Sequence, residues 1–283
     1  MSDKKDILAE KIKWMFLRRV LDDLKTERKG IHVSSLVYDC MRRAYYEYVL
    51  GEIAEAGEGE SLVSTLNEDN AIVFWTGKKL HELPISNVVV NIPDSEMMRQ
   101  LFEMTDEEFV AGKRLAHELP IGYRGGGKEW KVVGKLDELI STHGHIVIVD
   151  KKTTRNIPSK PYEHHMKQVR MYALMLAETY GIIASKGAIL YINVGSVSSP
   201  WDQRVKVHVF DIGDLGDIRQ EMELKYEVLK YALENKKVPP ARPSWLCNVC
   251  PFFERCIKDG LEGEDGKEEE IKEITGGGLF GGS

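Results

Sequence analysis

Apolar residues recur at helical spacing near the start of the chain, where Ile7, Leu8, Ile12, Met15 and Val20 mark one face and Gly30 offers a stop. The pattern predicts an amphipathic helix over 5–29, an N-terminal element set apart from the rest of the chain. A second helix is predicted at once in SLVYDCMRRAYYEYVLG, with Ser34 or Ser35 as its cap, Gly51 as its end and Cys40 inside it. The acidic, Gly-containing stretch 52–70 reads as a loop. A third helix is expected from about Trp75 to Ile85, because Gly77, Lys78, Lys79, Leu80 and His81 show no strand alternation and Pro84 ends the run.

After a variable, helical stretch at 94–116 the period changes to that of strands. EWKVVGKLDELI and HIVIVDKKT flank a turn at His143 and Gly144 and read as neighbouring hairpin strands. A helix at 164–180, the apolar strand GAILYINV at 187–194, a strand at 205–211 and a helix at 217–235 complete an alternation of strands and helices, which predicts an α/β fold. Pro239, Pro240 and Pro243 then lead into a cysteine knuckle, and the acidic, Gly-rich tail 259–283 is expected to be disordered. The main domain is thus expected over 31–258. HELPI occurs at 81–85 and again at 117–121, too short an echo to indicate a structural repeat.

At 42% hydrophobic and 30% charged, the 283 residues have the composition of a soluble globular protein. No segment approaches the run of apolar residues needed to span a membrane, so a membrane protein is excluded. MSDKKDILAEK lacks the apolar centre of a secretory signal, and a cytoplasmic location is expected. The formal net charge of -6 argues at first against a nucleic-acid partner, but its distribution matters more. The acid is concentrated in 51–75, with no basic residue, and in 258–273, and the remainder of the chain is net positive. Its cations cluster between Arg124 and Arg170, as a phosphate-tracking surface would require, although a solvated charged face has the same composition.

Cys247, Cys250 and Cys256 give C-x2-C-x5-C in WLCNVCPFFERC, and Cys40 is the fourth cysteine. Four thiols in a chain without secretory features favour shared metal coordination over disulfides, and either Zn²⁺ or an iron–sulfur cluster suits four thiolates. Either would tie the early helix to the C-terminal segment, and unligated buried cysteines are the remaining alternative.

The strand pair carries the sharpest chemistry: Asp137 in VVGKLDELI, then Asp150 and Lys152 in IVIVDKKTT. Phosphodiester hydrolysis needs hard oxygen ligands for Mg²⁺ or Mn²⁺ and a cation to orient water and stabilise developing charge. Alternation puts Asp150 and Lys152 on one face and Lys151 on the other. His81, in G-x3-H from Gly77, is a further candidate ligand, with His117 of the second HELPI as its rival. Gln168 and Tyr172, one helical turn apart, could contact phosphate or a splayed base. Surface charges and ordinary packing are the plain alternative for each of these taken singly.

In order, S-x5-C-x-R-x2-Y-Y (Ser34, Cys40, Arg42, Tyr45, Tyr46), G-x3-H, G-x2-D from Gly134, D-x-K, Q-x3-Y and the three-cysteine knuckle resemble the RecB-like branch of the PD-(D/E)XK nucleases. The likeness is greatest to CRISPR-associated nucleases of the Cas-four type. It implies a restriction-endonuclease-like mixed sheet flanked by helices, with an iron–sulfur subdomain formed by 31–51 and 239–258. It further implies that His81, Asp137 and Asp150 bind catalytic Mg²⁺ or Mn²⁺, that Lys152 is the catalytic lysine, and that Gln168 and Tyr172 contact DNA. Cys40, Cys247, Cys250 and Cys256 would hold a [4Fe-4S] cluster. The implied activity is metal-dependent cleavage of single-stranded DNA or overhangs, trimming prespacers and selecting their PAM-bearing ends for the CRISPR integrase. An AddB-like end-resection nuclease and a noncatalytic DNA-binding or integrase-docking module are the alternatives. The segments 1–30, 51–75, 87–116 and the tail are additions relative to compact members, and Lys151 stands where an apolar residue is common. No G-x4-G-K-[ST] loop is present, so ATP-driven unwinding would need a partner.

Overall fold

The computed structural model describes residues 30–55, 68–84, 116–142, 144–195 and 200–260. The helix expected over 5–29, all but the last residue of the helix expected over 94–116, most of the 87–116 insertion, residues 56–67 and the tail beyond 260 lie outside these residues.

The described chain begins with β1 (Ile31–His32) and a single turn, α1 (Val33–Leu36), and breaks before α2 (Met41–Glu55). The one helix expected across Cys40 is therefore two, with Cys40 directly ahead of α2. The break has a partner. Lys225 Nζ donates to the Leu36 carbonyl at 3.0 Å and pairs with Asp39 at 3.2 Å, closing the end of α1 and holding the turn. The helix after Cys40 passes Gly51 and ends at Glu55, and α3 (Glu68–His81) starts well before Trp75. Both ends of the supposed acidic loop are thus helical.

The strand β2 (His117–Tyr123) escaped the sequence pattern. It contains Pro120 and a positive φ of 49° at Glu118, just after another of 50° at Ala116. Among the described residues β2 pairs only with β3 (Val132–Thr142), and such an edge position tolerates a proline that a central strand would not. Then come β4 (His145–Thr154), α4 (Glu163–Tyr180), β5 (Lys186–Asn193), the short α5 (Trp201–Arg204), β6 (Val205–Asp211) and α6 (Gly216–Glu234). A 3-10 turn over Trp245–Val249 and α7 (Phe253–Lys258) form the cysteine segment.

These strands make one mixed sheet in the order β1-β3-β4-β5-β6, with β2 on the free flank of β3. The β1–β3 and β4–β5 pairs are parallel, and the β2–β3, β3–β4 and β5–β6 pairs antiparallel. Parallel β4 and β5 need a crossover, which α4 supplies. Its buried Val169, Met171, Tyr172 and Met175 join Leu139, Ile148 and Ile189 in the main core, and Gly181 in the left-handed conformation ends it. The other face carries a smaller cluster of Val147, Val149 and Ala188, and α3 packs against β4. Helices therefore flank the sheet. Among the described residues no helix is long and apolar enough to cross a membrane.

Arg42 joins the ends of this body. It is fully buried, and its Nε donates to the Pro239 carbonyl at 2.7 Å while Nη1 donates to the carbonyls of Cys256 and Gly260. Beside it, Tyr46 donates to Asp259 at 2.7 Å. Arg42→Met keeps the bulk but leaves the buried Pro239 carbonyl and two partly buried ones without their donor, and is expected to cost about 2–4 kcal/mol. Urea unfolding followed by circular dichroism reads this directly, and an unchanged midpoint would contradict the staple.

Candidate active site

The β3–β4 ladder runs from Thr142 opposite His145 to Glu138 opposite Val149, and stops there. Past that point β3 turns to β1 at Val132 and Val133, while β4 stays with β5 through Thr154. Asp137 and Asp150, both buried, sit where the two strands part. The Lys151 amide, which has no β3 carbonyl to meet, donates instead to Asp137 Oδ2 at 2.7 Å. Side-chain alternation then sets the faces. Lys152 Nζ lies with Asp150, donating to Oδ1 at 3.0 Å, while Lys151 projects to the opposite face and pairs with buried Glu138 at 2.8 Å.

His81, the last residue of α3, places Nδ1 2.8 Å from Asp137 Oδ2. The motif glycines explain how the helices come close enough. A Cβ on Gly77 would stand 3.0 Å from Thr153 Oγ1, so glycine lets α3 lie against β4 one turn before His81. A Cβ on Gly134 would meet Val33 Cγ1 at 2.8 Å and Tyr172 at 3.4 Å, so glycine admits α1 and α4 over β3 three residues before Asp137. His117 does not join the carboxylates. Its Nε2 is 2.7 Å from the His81 carbonyl, which Lys151 Nζ also approaches at 3.3 Å. The two HELPI copies therefore meet, one presenting a side chain and the other bracing the first one's backbone.

Gln168 accepts from Lys152 Nζ at 3.0 Å and donates to Tyr172 OH at 2.7 Å. Both are buried and form a relay onto the lysine.

The charges are mutually dependent. Burial works against a protonated His81, but its hydrogen bond to Asp137 and that group's charge prevail, and the pKa moves up. Burial likewise disfavours ionised Asp137, yet His81, Lys152 and the Lys151 amide hold its pKa below the usual range. For Asp150 burial prevails, aided by the Asp137 charge and only partly opposed by Lys152, and the pKa rises to about 6. Lys152 loses solvation, but the charges of Asp150 and Asp137 keep it protonated, with its pKa raised.

Among the described residues no three His, Cys, Asp or Glu side chains converge as a metal-ion group. His81 and Asp137 are instead turned to each other, and Asp150 to Lys152. Asp150 Oδ2 is buried and, although it stands 2.9 Å from Lys152 Nζ in the ion pair, makes no hydrogen bond. An imidazole and two carboxylates, one with an oxygen to spare, form a donor set that suits Mg²⁺ or Mn²⁺.

Two participants gave no sequence signal. Glu118 lies in the unrecognised β2, and burial together with the Asp137 charge raises its pKa to about 7. His165 Nδ1 stands 2.8 Å from Tyr191 OH, and Tyr191 is the β5 residue in register with Lys152. Neither position belongs to a spacing that chemistry would single out.

The four cysteines are free thiols, all partly buried. Cys40, Cys247 and Cys250 line one cleft, and burial, with the charges of Cys40 and Cys247, raises the Cys250 pKa. The Ser244 amide donates to Cys247 Sγ at 3.4 Å and Arg42 Nη1 to Cys256 Sγ at 3.6 Å. N–H groups aimed at sulfur stabilise thiolate, and an all-sulfur donor set fits an iron–sulfur cluster or zinc.

The match with the curated CRISPR-associated exonuclease Cas4 of Saccharolobus solfataricus is 24% identical over 132 residues, 46% of this chain. The aligned part is 54% of that protein, so the chain spans about half the length of the relative it matches. The crystal structure of SSO0001 superposes with a TM-score of 0.49 at 20% identity, covering 87% of this chain and 95% of that one, too loose a likeness to carry weight. A family profile described as the PD-(D/E)XK nuclease superfamily matches residues 93–257. That span takes in Asp137, Asp150, Lys152 and the Cys247–Cys256 knuckle, while His81 and Cys40 precede it. By this match, over more than half of its length, the chain belongs to the PD-(D/E)XK nuclease superfamily.

Proposed function

We propose that the chain is a divalent-metal-dependent DNA nuclease acting on single-stranded DNA or overhangs. The observation that carries this reading is the placing of the His81–Asp137 and Asp150–Lys152 pairs side by side where β3 and β4 part. His81, Asp137 and Asp150 would hold Mg²⁺ or Mn²⁺, which when bound supplies charge neutralisation at the phosphate and a more acidic water. The protein's own part is positional. His81 is delivered by α3 and braced at its carbonyl by His117 and Lys151. Lys152, held by Gln168 and through it by Tyr172, presents its ammonium beside Asp150 to orient water and stabilise the charge that grows on the phosphate. Gln168 and Tyr172 thus serve the lysine first.

The resemblance to the Cas4 exonuclease supports a role in CRISPR adaptation in the cytoplasm. There the chain would trim prespacers and select their PAM-bearing ends beside the integrase complex. Cys40, Cys247, Cys250 and Cys256 would hold a [4Fe-4S] cluster, joining the segment ahead of α2 to the C-terminal knuckle.

Lys152→Ala is expected to lower cleavage by about 10²–10³-fold with DNA binding retained, because the loss falls on the transition state. Lys151→Met breaks the buried pair with Glu138 and is expected to cost about 3–5 kcal/mol of stability while leaving the chemistry of the folded fraction largely intact. Single-turnover cleavage beside thermal melting separates the two, and the opposite pattern would show that the D-x-K assignment is shifted by one residue.

His81→Ala is expected to weaken Mn²⁺ binding by about 10–100-fold, whereas His117→Ala, which loses only a brace, keeps most of its activity and melts lower. Titration of cleavage against Mn²⁺ compares them. Equal metal dependence in the two variants would remove His81 from the ligand set.

Anaerobically purified protein is expected to be brown, with broad absorption near about 400 nm from thiolate-to-iron charge transfer, and Cys40→Ser to lose colour and stability together. Colourless protein with one zinc per chain would replace the cluster by zinc.

A further inference from the structure

One cleft, of about 380 Å³, opens between the start of α4 and the cysteine segment. Its thiol end, Cys40, Cys247 and Cys250, belongs to the set already described. Its other end is aromatic and has no role in that set. Tyr162 and His164 stack with ring centroids 5.6 Å apart and planes 16° from parallel. Trp245 lies 6.3 Å from Tyr162 and 6.5 Å from His164, and Tyr38 stands 5.5 Å from His164. Apolar rings normally bury themselves, yet Trp245 is 62% exposed and Tyr162 40%.

One wall of the cleft belongs to the helix that carries Gln168. His164 is one helical turn before Gln168, which touches Lys152, and the Lys152 charge acts on both His164 and His165. The segment linking Lys152 to Tyr162 carries exposed Arg155 and Lys160. At the rim, Arg43 lies over the Tyr38 ring at 3.9 Å, and Lys167 and Arg242 line the wall. Asp39 and Glu163 also reach it, but Asp39 is engaged by Lys167 at 3.3 Å and Lys225 at 3.2 Å.

Exposed ring faces beside cations that follow a backbone are the recognition chemistry of single-stranded nucleic acid, whose unpaired bases each offer a flat apolar face. A duplex keeps its base faces stacked inside and has none to offer. We propose that this cleft is a base-stacking subsite, in which Trp245 and Tyr162 take a base of the single strand whose phosphate lies at Lys152. The proposal rests on the nuclease reading above and adds to it the means by which an unpaired strand is preferred. Exposed Trp245 is the face on which the base lands, and the Tyr162–His164 stack extends the platform beside it.

The test uses the full chain without added divalent metal, so that no strand is cut. A fluorescein-labelled oligothymidylate, the matching blunt duplex and a single strand carrying 2-aminopurine are the probes. The parent protein is expected to bind the single strand more tightly than the duplex and to quench 2-aminopurine, as stacking on a ring does. Trp245→Leu and Tyr162→Leu should each weaken single-strand binding about tenfold and relieve the quenching, with duplex binding and melting temperature unchanged. Trp245→Phe and Tyr162→Phe, which keep a ring and the local packing, should retain most of the affinity. Leucine variants that bind and quench like the parent would overturn the subsite. Loss of duplex and single-strand binding together in those variants would also overturn it, since that marks a folding defect rather than a lost stacking face. A parent protein that cleaves DNA with metal but favours the duplex would overturn the subsite alone, whereas one that neither binds nor cleaves DNA would overturn the nuclease reading as well.

Discussion

Everything at the centre of this molecule depends on the parting of two strands. A hairpin that stayed paired would point alternate side chains at its neighbours and spend every amide on the ladder. Because β3 leaves β4 after Glu138, an amide and two carboxylates are released into the same gap, and the amide of Lys151 fixes one of those carboxylates. Like charges would not normally be buried together. Here His81 and Lys152 offset them, and the four groups form a balanced set in which each one's protonation is set by the others.

The opposite face of the same strands is equally specific. Lys151 and Glu138 form an ion pair at the root of the gap, and the Lys151 ammonium also reaches the carbonyls of His81 and Leu83 at the end of α3. A cation at a helix C-terminus meets the carbonyls that have no partner within the helix. Two adjacent lysines thus have unlike partners imposed by alternation alone: one lies with Asp150 and Gln168, the other fixes the end of the helix that carries His81. This explains why a lysine can stand where an apolar residue would otherwise pack.

Much of this was legible in the sequence because period-2 and period-3.6 patterns are strong in the centre of the chain. The strand carrying Asp150 and Lys152, the helix carrying Gln168 and Tyr172, and the strand at 205–211 match their expected bounds to within a residue or so. Side-chain alternation was enough to separate Lys151 from Lys152. What failed did so where tertiary contacts override local preference. The turn before Cys40 is set by Lys225, far away in sequence, and Gly51 does not end a helix whose other residues favour continuing. The strand β2 was hidden by Pro120 and by the left-handed backbone at Glu118, both acceptable only because that strand lies at an edge. The brace from His117 to His81 was equally invisible, since an identical five-residue string gave no hint that its copies would touch.

Arg42 also sets the order in which the molecule is completed. Its acceptor at Pro239 lies 197 residues further along the chain. At cellular rates of synthesis that distance represents about 10–40 s during which α2 exists with a buried-type cation and an apolar flank still open to water. α2 therefore cannot reach its final state until Pro239 has been made. α2 closes only after the cysteine segment has been made, so residues made late lock residues made much earlier.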